Sequence, residues 1–259
     1  MKEQGRFWEH IQNLIKTGAP SNIDLALQLA AGQGIAADVV MKDWDVLLDF
    51  LDIVKGKKHQ LPDLFKIQEI SYYNGNLWRI PNNIGYLSGL ERLELSSCGV
   101  DELPCEIGFL KNLKQLYLIG NNLFSLPNEI GELQELETID VTRNQINELP
   151  DSLANLEQLT TLNLYFNPIS CLPTEMHRLK KLERLNLGKT TLWSFVATIE
   201  CLVDTPLTYL SLEDNHLQTL PEELKYLDCL QQLNLSRNKF SDQEKERIQS
   251  LLPNCTIYF

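Results

Sequence analysis

The sequence repeats itself every 23 residues, and no other feature constrains the fold as tightly. One unit runs Leu113-x-x-Leu116-x-Leu118-x-x-Asn121-x-Leu123-x-x-Leu126-Pro127-x-x-Ile130-Gly131-x-Leu133. The next runs Leu136-x-x-Ile139-x-Val141-x-x-Asn144-x-Ile146-x-x-Leu149-Pro150-x-x-Leu153. Units open at Ile67, Leu90, Leu113, Leu136, Leu159, Leu182, Leu207 and Leu230, so the step is 23 residues except for one of 25. Prolines keep the same beat at Pro81, Pro104, Pro127, Pro150, Pro173 and Pro221. A period of this length marks a stacked-repeat architecture.

The order of side chains within a unit gives each part a task. In Leu116-x-Leu118, alternation with period two sets both leucines on one face of a short strand and their neighbours on the other. Asn121 then turns the chain. Its amide can donate to one backbone carbonyl and accept from a neighbouring N–H, so stacked asparagines satisfy turn groups otherwise buried unpaired. Leu123, Leu126, Ile130 and Leu133 fill the interior on the way back, and Pro127 holds that return extended while excluding a strand. One unit cannot bury its apolar stripe alone, so the units stack into a solenoid. Eight parallel strands about 4.8 Å apart give a sheet roughly 34 Å along its inner face.

This grammar resembles the leucine-rich repeat family in its 23-residue form, with an L-P pair in the second half, over Ile67 to about Phe240. The resemblance implies an α/β fold, a leucine-rich repeat solenoid with a curved parallel sheet of eight repeats. A helical N-terminal cap and a helix–strand C-terminal cap are expected to close it, giving residues 1–66, 67–240 and 241–259 as the three divisions. Departures stand at the turn position: Gly75 in the first unit, Cys98 in the second and Thr190 in the sixth. The sixth unit also replaces its L-P pair by Phe195-Val196 and is two residues longer, so a local bulge is expected from Trp193 to Pro206.

A solenoid exposes raw core at each end, and something must cover it. Phe7, Trp8, Ile11, Leu14 and Ile15 follow helical spacing. Ser21 to Asp24 fits a capping-box start, and Gly32 a helix stop. Asp43 to Lys55 is dense in apolar residues and is followed by Gly56. Three helices are thus expected; the stretch Ile23 to Ile35 is similar to the helical leader of bacterial cytoplasmic leucine-rich repeat proteins. A separate effector-binding domain is the alternative. At the other end, Ser241-Asp-Gln-Glu244 opens a capped helix to about Leu252, Pro253 and Asn254 break it, and Thr256 to Phe259 alternates as a closing strand. The chain reads as complete, with no further catalytic domain.

Charge and motif exclude several functions. The formal charge is −12, from 23 basic and 35 acidic residues, which disfavours binding to a nucleic-acid backbone or an anionic membrane. No signal peptide and no run of about 18 apolar residues is found. Cys98, Cys105, Cys171, Cys201, Cys229 and Cys255 form no C-x-x-C and have no His at metal-ligand spacing, and read as reduced thiols of a cytoplasmic protein. Gly188-Lys189-Thr190 looks like the tail of a phosphate-binding loop, but Glu183 stands where the motif needs its first glycine. Gly32-Gln-Gly34 follows a helix rather than the strand that a dinucleotide loop requires. His10, His59, His177 and His216 are isolated, and no hydrolase signature occurs. Leucine-rich repeat ubiquitin ligases of bacteria use shorter repeats and a catalytic cysteine domain, neither of which is present. No enzyme activity, cofactor or metal is therefore expected.

Partners of the family usually lie against the concave sheet. The outward strand positions line up as columns, the middle one reading Ser71, Glu94, Tyr117, Asp140, Asn163, Asn186, Ser211, Asn234. The presumed binding face is close to neutral, with 8 acidic against 7 basic residues, while residues 67–259 carry −11 in total. Aromatic residues beside an arginine and a carboxylate have the composition of an interaction hot spot. Tyr73, Tyr117, Ile119, Asp140, Arg143, Asn163, Tyr165 and Phe166 are the expected partner-binding residues, with Phe166 either exposed or tucked inward at its turn. The irregular unit, Thr191 to Thr205 with Trp193 and Phe195, is a second candidate. The expected function is that of a monomeric, cytoplasmic, non-enzymatic scaffold that binds a protein or peptide on its concave face. In repeat type the chain is also similar to the intracellular Ras-group leucine-rich repeat scaffolds. A bacterial effector acting in a host cell, and an enzyme with an unrecognised site, are the alternatives.

Overall fold

The computed structural model describes residues 44–55, 66–192 and 194–259. Among them are three α-helices: α1 (Trp44–Lys55), α2 (Phe195–Glu200) and α3 (Asp242–Leu251). Nine strands complete the regular structure: β1 (Glu69–Tyr73), β2 (Arg92–Ser96), β3 (Gln115–Tyr117), β4 (Thr138–Asp140), β5 (Thr161–Asn163), β6 (Arg184–Asn186), β7 (Tyr209–Ser211), β8 (Gln232–Asn234) and β9 (Thr256–Tyr258). They form one parallel sheet in chain order. Leu93 pairs with Leu116, Leu116 with Ile139, and Ile139 with Leu162, so the 23-residue step becomes the register. A slip of one residue would turn the leucines into solvent, which is why this register holds.

Behind the sheet lies one continuous core from Leu47 to Cys255. Leu116, Leu118, Leu123, Ile130 and Leu133 are fully buried. Each such side chain contributes about 1.5–3 kcal/mol by leaving water. The turn asparagines join neighbouring repeats. Asn121 Oδ1 accepts from the N–H groups of Cys98 and Val100, both at 3.1 Å, and its Nδ2 donates to the Leu95 carbonyl at 2.6 Å. Asn144 and Asn167 repeat the pattern one and two units on. In the sixth unit Thr190 Oγ1 instead donates to the Leu187 carbonyl at 3.0 Å, and the Thr190 N–H is taken by Asn215 Oδ1 at 2.8 Å.

The return segments are short 3-10 helices, each preceded by the repeat's proline. Pro127 is extended at φ −69°, ψ 154°, and its carbonyl accepts the Ile130 N–H at 3.1 Å to start the helix Asn128–Glu132. Proline suits this place because its fixed φ matches the extended entry and it need donate nothing. Gly85 and Gly108 let these helices stack closely: a Cβ would stand 2.7 Å from the Glu106 carbonyl oxygen and 2.9 Å from that of Glu129, respectively.

The sixth unit differs from expectation. Its return forms the six-residue α2 where the other units up to the seventh have a 3-10 helix. Ser194 caps it by accepting the Ala197 N–H at 3.3 Å, and Thr198, Ile199, Cys201 and Leu202 are buried. With the L-P pair gone, no proline stops the helical turn from continuing, and the added length is packed inward.

Both ends of the described repeats are covered. The helix expected from Asp43 is observed as α1, which places Leu47, Phe50, Leu51 and Val54, at helical spacing, in the core beside Ile70. The helices expected earlier in the chain, and Trp193, lie outside the described residues. After β8, Ser241 Oγ accepts the Glu244 N–H at 3.2 Å to open α3. Glu244 does not complete the capping box; its carboxylate accepts the Leu220 N–H of the seventh repeat at 3.0 Å and pairs with Arg247 at 2.6 Å. β9 then pairs with β8 and ends the sheet. Among the described residues no helix is long and apolar enough to cross a membrane.

Candidate functional site on the open face of the sheet

In each strand the residues flanking the buried position are turned to the open face, as with Gln115 and Tyr117 around Leu116. The register sets these residues side by side in the columns read from the sequence. Before any partner is considered, the middle column has a task of its own. From β3 to β8 the strands end after three residues, and at four of them a side-chain carboxylate or amide oxygen at this position takes the N–H two residues on. Asp140 Oδ1 accepts from Thr142 at 2.9 Å, Asn163 Oδ1 from Tyr165 at 3.2 Å, Asn186 Oδ1 from Gly188 at 3.0 Å and Asn234 Oδ1 from Ser236 at 3.0 Å.

Six of the eight residues expected to bind a partner fall into two groups. Tyr73 and Tyr117 belong to a network centred on Arg92. Its guanidinium pairs with Glu94, reaches Glu69 at 3.5 Å, donates to Gln115, and lies 4.4 Å from the centroid of the Tyr117 ring. Tyr73 is hydrogen-bonded to Glu94, and this bond to a carboxylate raises its phenol above the ordinary value by disfavouring the phenolate.

Asp140, Asn163, Tyr165 and Phe166 form the second group. Asn163 Nδ2 donates to Asp140 Oδ2 at 2.9 Å. Tyr165 and Phe166 meet edge to face with centroids 6.3 Å apart, and Lys189 Nζ sits 4.2 Å over the Phe166 ring. Phe166 is 45% exposed and so is not tucked inward. It occupies the left-handed region at φ 56°, between Arg143 at 57° and Lys189 at 53° in the same column. Such a conformation costs a non-glycine residue about 1–2 kcal/mol. Ile119 is half-buried and Arg143 exposed.

Tyr117 therefore packs toward β2, whereas Tyr165 packs toward β6 over Gly188. The two tyrosines do not close into one aromatic cluster; they stand as walls. Between them Thr138, Asp140 and Thr142 of the β4 repeat and Thr161 and Asn163 of β5 form a polar floor, all half-buried. Most cations of this face already have partners: Lys114 with Glu91 at 2.9 Å, Lys189 with Asp214 at 3.8 Å, Arg237 with Glu213 at 3.4 Å. Asp140 makes no ion pair with any described residue. Arg92, Gln115, Gly188 and Lys189 were not among the expected site residues. The one available signal was Gly188, a missing side chain in a column that elsewhere carries one.

A cleft of about 980 Å³ lies elsewhere, among Phe50, Ile53, Arg79, Tyr86 and Phe109 on the side of the 3-10 helices. Among the described residues no group of three or more His, Cys, Asp or Glu is placed to hold a metal ion. All six cysteines are free thiols; burial pushes Cys201 up to about 12 and Cys255 up to about 11.

Comparison with known proteins agrees with this architecture. Residues 107–205 match a model described as a leucine-rich repeat region, and residues 206–227 and 229–251 match the leucine rich repeat model. No curated protein matches the chain. A leucine-rich repeat protein of Leptospira interrogans is 28% identical with a TM-score of 0.50, over 74% of this chain and 66% of its own, so this chain spans just under two thirds of it. Internalin C2 of Listeria monocytogenes is 25% identical with a TM-score of 0.64, over 82% of this chain and 90% of its own. The PEPR1–AtPEP1 complex matches at 30% identity and a TM-score of 0.53, over 66% of this chain and 24% of that one.

Proposed function

We propose, from the premise that this chain belongs to the leucine-rich repeat family, that it is a non-enzymatic scaffold binding a protein or peptide on the open, concave face of its sheet. Domains of this family generally mediate protein–protein interaction and are typically non-enzymatic. The observation that carries the reading is the walled trough over β4 and β5. Tyr117 and Tyr165 flank a half-buried polar floor whose side chains are held by one another and by the strand ends. A surface organised in this way loses little entropy when a partner binds. The peptide-sized ligand class also fits the likeness to the PEPR1–AtPEP1 complex. The chain acts in the cytoplasm, a reading supported by its free, unpaired cysteines, and it is read as a monomer.

The test is affinity capture from native lysate with wild type and with Tyr117→Ala/Tyr165→Glu, read by mass spectrometry. The double variant should keep its melting temperature and lose the specific partners. An unchanged partner list would place binding elsewhere.

A further inference from the structure

The charge of Asp140 has no use within the fold. Its structural task, taking the N–H two residues on, is done equally well by asparagine at 163, 186 and 234 in the same column. An aspartate there adds a second acceptor oxygen, which takes Asn163 Nδ2, and a negative charge. That charge is half-buried, where solvation is reduced, and it is not neutralised by a neighbour. Asp140 is held by two neutral donors, the Thr142 N–H and Asn163 Nδ2, one on each oxygen, which leaves each oxygen able to accept once more. On the same face Glu91, Glu94, Glu213 and Asp214 each have a cation, while Glu137 and Glu183, which pair with no described cation, are exposed where Asp140 is half-buried.

The walls suit a cation as well. Two tyrosines, on β3 and at the end of β5, stand two strand spacings apart, about 10 Å. Aromatic faces attract ammonium and guanidinium groups, and more strongly where water is reduced. The face already uses this contact three times within the chain, with Arg92 on Tyr117, Arg184 on Tyr209 and Lys189 on Phe166.

We propose that the partner lodges one basic side chain, lysine or arginine, in the trough between Tyr117 and Tyr165, with Asp140 as its counter-ion. This rests on the reading of the open face as the binding surface. It adds the chemistry that selects the partner: an extended segment with a basic residue at one required position, its neighbours passing over the threonines at 138 and 161.

The full chain is used to select binders from a displayed library of random dodecapeptides, in parallel with Asp140→Asn and with Tyr117→Ala/Tyr165→Glu. Asp140→Asn keeps the Thr142 contact but offers Asn163 Nδ2 no acceptor, so Asp140→Asn/Asn163→Asp, which keeps the pair in reverse and moves the charge one strand along, is run beside it, and a thermal melt compares their folds. Wild type should enrich peptides with Lys or Arg at one position, and synthetic copies should bind Asp140→Asn about tenfold more weakly. Peptides without that basic position, or with equal affinity for Asp140→Asn, overturn the counter-ion role. If those peptides still lose binding to the tyrosine variant, the open face stands as the binding surface. If no peptide is enriched, or if all bind the tyrosine variant unchanged, both readings fall together.

Discussion

The ring of Tyr165 lies against the backbone of Gly188, so closely that a Cβ at 188 would stand 2.8 Å from Tyr165 Cδ2 and 3.1 Å from Cε2. The glycine is needed for this approach and not for its backbone angles. Gly188→Ala should displace the ring toward the trough and cost about 1–2 kcal/mol through overpacking. A lower denaturation midpoint, with a moved Tyr165 ring in a crystal structure, is the expected result. An unmoved ring and unchanged midpoint would show that the contact is loose.

Asn121 satisfies two buried backbone donors and one buried carbonyl of the preceding repeat. Asn121→Ala strands all three at once. Each unsatisfied group costs about 1–3 kcal/mol, so a loss of about 3 kcal/mol or more is expected in urea unfolding. Hydrogen exchange should quicken first at Cys98 and Val100.

Thr142 behaves in the opposite way. Its hydroxyl oxygen is enclosed and has no hydrogen-bond partner among the described residues, as is also true of Ser96. Thr142→Val keeps the shape and removes the stranded polar atom, so stability should be unchanged or rise by up to about 1 kcal/mol. A clear loss in a thermal melt would reveal a partner for that hydroxyl.

Glu244 ties the C-terminal helix to the seventh repeat. Its bond to Arg247 lowers its pKa from the ordinary value of 4.5; burial works against this and the Leu220 N–H assists it. A carboxyl lowered on folding contributes stability that is complete above the ordinary value and disappears as pH falls through the native one. Glu244→Gln should therefore cost about 1–2 kcal/mol at neutral pH. The gap to wild type should narrow below about pH 4.5, as measured by denaturant melts across that range.

Much of the fold was legible because each repeat solves the same packing problem with the same residues. The leucine alternation gave strand positions and register together, and the asparagine turn gave the stacking bond. The adjacency of Asp140 and Asn163 followed directly from their 23-residue spacing. The helix α2 was not legible: loss of the L-P pair at Phe195-Val196 signalled irregularity, but burial of Ile199 and Leu202 decided its form. Glu244 likewise satisfied a local motif in sequence, then chose a partner 24 residues away instead.

The sequence by itself determined which residues reach the open face, and in what order, because strand alternation and a constant period leave a side chain no other side to take. Only the tertiary structure decided how those side chains divide among themselves. Arg92 draws Tyr117 to one side and the space above Gly188 receives Tyr165 on the other. What lay in sequence as a single aromatic patch became two walls with a charged floor. The direction of a surface side chain depends on the size and charge of neighbours on adjacent strands, and those contacts exist only once the repeats are stacked.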